Sequence, residues 1–193
     1  ECGVCGGDNA CLVSSVTFGS FDSSGSLEVL YDFGSDVAGF QFNVTGLALT
    51  GASGGAAESA GFTVSTGSQT VIGFSFTGAT VSAGSGVLTV LSFSDITAGT
   101  TELSLGSGAL TGPGGNEYDA LVSGSIDHPS DCAGEYYGSA VEDQCGVCSG
   151  ENACLVSNLS LGAFDSSGTV EVLYDFGGPV AGFQFDLTGL ALT

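Results

Sequence analysis

Residues 2–50 align without a gap on residues 145–193 at a constant offset of 143, with 36 of 49 positions identical. Such a duplication constrains the fold more than composition does, because whatever the first copy builds locally the second must be able to build too. Asp8 becomes Glu151, Val16 becomes Leu159 and Val44 becomes Leu187, so most of the substitutions conserve chemistry. The unit is one domain plus one joint, and the chain reads as a window from a longer mature protein. Four segments are expected: 1–11, the end of a Cys-rich acidic joint; 12–130, a β-sandwich; 131–154, a complete joint; and 155–193, the first strands of the next sandwich. Residues 155–193 should then superpose on 12–50. Their apolar face of Phe183, Phe185 and Leu187 would be covered by strands from the next stretch of the same polypeptide or from a neighbouring copy.

Within the unit the signal is β. "GFQFNV" alternates strictly, Phe40, Phe42 and Val44 on one face and Gln41, Asn43 and Thr45 on the other. "SLEVLYDF", "FTVST", "TVIGFSFTG", "GVLTVLSF", "TELSL" and "YDALVSG" are further short runs separated by Gly and Ser. Eight or nine strands at this spacing predict an all-β, antiparallel two-sheet sandwich. One helical turn is expected at residues 54–61, "GGAAESAG", and the glycines follow no collagen period. The stretches "VAGFQFNVTG" and "GVLTVLSF" resemble cohesin modules over roughly residues 12–127. That resemblance implies a cohesin-like sandwich. The family's role is to dock a calcium-binding dockerin, and no interface residues are carried over here.

The joint, "DCAGEYYGSAVEDQCGVCSGENAC", has too few apolar side chains for a core, so covalent or ionic staples must replace one. Cys132, Cys145, Cys148 and Cys154 allow two disulfides in three connectivities. A four-cysteine zinc site is the alternative, but only Cys145 and Cys148 form a CxxC pair, so disulfides are the expectation. The pairing expected is Cys132 with Cys145 and Cys148 with Cys154. Cys2, Cys5 and Cys11 belong to the preceding joint, whose fourth cysteine would lie upstream. Disulfides point to an extracellular or cell-surface setting.

Calcium suits the oxygens of such a segment: Asp131, Glu135, Glu142, Asp143, Glu151 and Asn152, with Glu1, Asp8 and Asn9 as the first joint's counterparts. The joint resembles a degenerate thrombospondin type 3 repeat, which implies calcium but departs from the DxDxDG pattern. The alternative is that the acids only keep the joint soluble. Asn43 in "NVT" and Asn158 in "NLS" are N-glycosylation sequons, Asn43 on the polar face of its strand. His128, beside Pro129, reads as a loop histidine.

Twenty-one acidic residues and no lysine or arginine exclude the usual routes to nucleic acid and anionic membranes. No apolar run reaches the length of a membrane span. Enzymatic chemistry is disfavoured, since the acids form no constellation and there is neither a cationic group nor a second histidine. Two functions remain. One is a structural repeat of an extracellular fibre, stalk or adhesin that assembles with neighbouring copies of itself. The other is a cohesin-like module that recognises a dockerin-like protein or a carbohydrate, for which the Tyr136 and Tyr137 pair offers stacking surface.

Overall fold

The computed structural model describes residues 13–106 and 109–191. The chain divides into two compact units, with the boundary between Ser130 and Asp131.

The first unit is a two-layer sandwich. One layer contains β1 (Ser14–Asp22), β2 (Ser26–Phe33), β4 (Leu47–Ser53), β7 (Gly84–Ile96) and β10 (Ala120–Ser123), in the order β10-β1-β2-β7-β4. The other contains β3 (Gly39–Thr45), β5 (Thr63–Thr66), β6 (Thr70–Phe74), β8 (Thr100–Ser104) and β11 (Ser125–Asp127), in the order β11-β8-β3-β6-β5. A two-residue strand, β9 (Leu110–Thr111), also pairs with β3. Pairing is antiparallel except for β1 with β10, which run parallel. The expected helical turn is α1, Gly55–Ser59.

The core forms where the two layers' inward faces meet. Val16, Leu27, Val29 and Leu91 come from one sheet, and Phe40, Phe42, Val44 and Val71 from the other, all of them buried. The alternation read from "GFQFNV" is the alternation observed, with Gln41 exposed and Asn43 and Thr45 half-buried. Burying a side chain of the size of Phe42 contributes roughly 1.5–3 kcal/mol. β7 holds its sheet together by pairing with β2 on one side and β4 on the other. Between the pairs Val29↔Thr89 and Leu30↔Val87 its register slips, and the extra residue, Leu88, is fully buried.

The described residues of this unit form eleven strands, more than the spacing predicts. β1 and β4 escape an alternation search because Gly19 and Gly51 interrupt their patterns, and β9 and β11 are too short to show a period.

The second unit contains the joint, a 3₁₀ turn at Ala153–Leu155, and a hairpin of β12 (Ser157–Asp165) and β13 (Thr169–Phe176). This hairpin repeats β1–β2 at the same offset. Asn158 opposes Asp175 as Ser15 opposes Asp32, and the register shift between Leu161 and Phe164 repeats the one between Phe18 and Phe21. Superposition of the copies as a whole was expected and extends only this far. Residues 182–188, the counterpart of β3, form no strand, and Phe183 and Phe185 are exposed. In the first unit β3 is bonded to β6, β8 and β9, all supplied by residues 70–111. Without such partners an extended segment has nothing to bond with.

Candidate functional site

Two successive loops build the joint, and each is organised around one aspartate. Asp131 Oδ1 accepts the N–H groups of Ala133 and Glu135, at 2.9 and 3.0 Å, and its Oδ2 accepts that of Ala140 at 2.9 Å. Asp143 repeats this at the same sequence intervals. Its Oδ1 accepts from Cys145 and Val147, at 2.8 and 2.9 Å, and its Oδ2 from Asn152 at 2.8 Å. The backbone agrees as well: Asp131 N donates to Glu135 O at 3.0 Å, and Asp143 N to Val147 O at 2.9 Å. Tyr137 and Ser149, at matching positions, both take left-handed φ values, 56° and 54°.

The pattern D-x-x-G-x-x-x-G at 131–138 and again at 143–150 encodes this device. Its last glycine is required by space. A Cβ on Gly138 would collide with Asp131 Oδ2, and one on Gly150 with Asp143 Oδ2. The converging N–H dipoles favour the charged carboxylates and hold both below the usual aspartate range. Ala140's N–H leads for Asp131 and Val147's for Asp143.

The aspartate loops also explain the cysteine pairing, which is Cys132–Cys148 and Cys145–Cys154. This corrects the expected pairing of Cys132 with Cys145 and Cys148 with Cys154. Asp143 gathers the N–H groups of both Cys145 and Asn152, so the chain folds back and delivers Cys154 to Cys145, whose Sγ accepts the Cys154 N–H at 3.1 Å. Cys148 bridges to Glu142 across the turn and is left for Cys132, with a Cα–Cα distance of 5.5 Å. Proximity in sequence is a poor guide when a side chain redirects the backbone. Closing loops of 16 and 9 residues contributes about 2.5–3 kcal/mol each in the chain-entropy model.

Of the oxygens expected to hold calcium, those of Asp131 and Asp143 face N–H groups, and Asn152 Oδ1 accepts the Gln144 N–H at 2.8 Å. Glu135, Glu142 and Glu151 are exposed. Among the described residues no three His, Cys, Asp or Glu side chains converge as a metal cluster. Glu1, Cys2, Cys5, Asp8, Asn9 and Cys11 lie outside the described residues.

Asn43 sits mid-sheet, half-buried, its Oδ1 accepting the Thr70 hydroxyl at 2.8 Å, whereas Asn158 is exposed on β12. Tyr136 is half-buried and Tyr137 exposed. His128 lies in the loop just past β11, as the sequence reading expects, but it is not a surface residue. It is buried, its Nε2 is 2.7 Å from Thr101 Oγ1, its ring centroid is 5.0 Å from that of Phe21, and its N–H donates to Gly99 O at 2.8 Å. Burial lowers its pKa, with Asp127 opposing.

A second feature was missed because it lies on the outward face of a strand. Ile72, Phe74 and Phe76 share that face along and just beyond β6, Phe76 83% exposed and packed edge-on to Phe74 at 4.8 Å. Their cross-strand neighbours are Gln41 and Gly39 on β3 and Ser65 and Thr63 on β5, too small or polar to cover them.

The fold so defined is an antiparallel two-sheet sandwich with a disulfide-bonded irregular joint. The chain matches no protein-family model and no curated protein. Among solved structures it is similar to a non-cellulosomal cohesin from the hyperthermophilic archaeon Archaeoglobus fulgidus. The identity is 16% and the TM-score 0.42, covering 60% of this chain and 90% of that one.

Proposed function

We infer that this chain is a non-catalytic repeat of an extracellular fibre, stalk or adhesin, in which sandwiches are strung on disulfide-stapled joints. The observation that carries the reading is the second hairpin, which reproduces the register and the bulge of the first. A fold segment duplicated so faithfully suits a protein that gains length by copying one module. The two disulfides favour an oxidising environment, and among the described residues no helix is long and apolar enough to cross a membrane. Electron microscopy of the native material tests this: regular filaments or stalks that lose their spacing on reduction support it, and discrete particles indifferent to reductant overturn it.

Calcium is a separable part of the proposal. Glu135, Glu142 and Glu151 are the joint's carboxylates not committed to loop N–H groups, and calcium on them would stabilise the joint by mass action. A chelator in metal-free buffer should then lower the joint's melting temperature, and no shift would leave these acids as solubilising charge. A glycan on this unit is proposed at Asn158, the open sequon.

The Ile72, Phe74 and Phe76 ridge favours a second reading, recognition of a dockerin-like protein or a carbohydrate. Phe76→Ala should then abolish ligand capture without changing the melting temperature. Capture that survives this substitution would remove the ridge from that reading.

A further inference from the structure

In the first unit the edge of β2 away from β1 is covered by β7, whose Leu88 and Leu91 are fully buried. β13 carries the sequence of β2 with only Ser26 replaced by Thr169 and Leu27 by Val170. Among the described residues β12 and β13 form a sheet of two strands and no third. Leu159, Val172, Tyr174, Phe176, Phe183 and Phe185 line an open cleft of about 570 Å³ on one face of that hairpin. Val172 is 37% exposed, where its counterpart Val29 is wholly buried.

We propose that the outer edge of β13 is an acceptor for a second copy of the repeat's own β7 segment, added antiparallel in the register of β2 with β7. Leu91 of the incoming strand would face Val170, and Thr89 would face Val172, as they face Leu27 and Val29 in the first unit. Main-chain hydrogen bonds would supply affinity, and the apolar side chains would select register. Charge selects this occupant over a second β13. Residues 84–94 carry no charge, whereas β13 paired antiparallel with itself would set Glu171 of each strand near Asp175 of the other, with no lysine or arginine in the chain to offset them. The acceptor edge goes beyond the polymer reading and holds whether or not the native material is a filament.

The test uses the full chain, isotope-labelled, with a synthetic peptide of the sequence of residues 84–94 as probe and hydrogen exchange read by NMR. The expected result is protection of alternate amides in Thr169–Phe176, those that β12 leaves open, with residues 13–130 unchanged. A peptide carrying Leu91→Asp should bind at least about tenfold more weakly, and Val172→Asp in the chain should abolish the effect. Should Val172→Asp disrupt the hairpin itself, the peptide-side substitution still decides. Equal binding by a scrambled peptide, protection confined to residues 13–130, or dimerisation through β13 without peptide would each overturn the proposal.

Discussion

The segment "AGFQF" occurs twice in this chain, at residues 38–42 and 181–185, with opposite outcomes. In the first, Phe40 and Phe42 are buried on a strand bonded on both sides. In the second, Phe183 is 68% and Phe185 42% exposed and the backbone forms no strand. The hairpin that precedes each copy is the same, down to its bulge. Hairpin pairing joins neighbours in sequence and closes through a short turn, so local residues suffice. A central strand has no local partner and exists only when distant strands arrive on both sides.

The largest effect expected from this contrast comes from Phe42→Ala, which should destabilise the first unit by about 3–5 kcal/mol. Phe185→Ala, the same change at the matching position, should stay within about 0.5 kcal/mol. Urea unfolding of both variants measures the difference, and equal effects would refute it.

The disulfides come next. Replacing Cys132 and Cys148 together by serine should cost the joint about 3 kcal/mol and leave the sandwich's melting temperature unchanged. Non-reducing peptide mapping of the parent chain should recover Cys132 with Cys148 and Cys145 with Cys154.

A smaller change is expected at the aspartate loops. Gly150→Ala should push the Asp143 carboxylate away and strip exchange protection from the Asn152 amide while leaving Ala140, in the other loop, protected. Loss of both would mean that the loops are not independent.

The smallest effects are those of pH, and they separate the two units. The folded pKa of His128 is lowered from 6.5, so the unfolded chain binds the proton more readily. The sandwich's share of stability from neutral His128 is complete above that value and is lost as pH falls through the folded pKa. Asp131 and Asp143 are lowered from 3.8, so their contribution is complete above that value and lost only at more acidic pH. Hydrogen exchange followed down in pH should show the sandwich weakening first, and Thr101→Val should alter that first step alone.

The strand alternation of "GFQFNV", the helical turn near residue 55 and the repeated hairpin were all legible, because each depends on neighbours in sequence and on which face of a strand a side chain takes. The aspartate loops were encoded as well, in two spaced D-x-x-G-x-x-x-G patterns, but carboxylates in a lysine-free chain suggest a cation before they suggest backbone N–H donors. Tertiary structure alone decided the rest. Cys154 reaches Cys145 because a side chain bends the backbone between them, and His128 is buried because Thr101 and Phe21, far away in sequence, meet it. "AGFQF" becomes a core strand at residue 40 and not at residue 183 for the same reason: its hydrogen-bond partners lie tens of residues away, and no property of the five residues themselves can supply them.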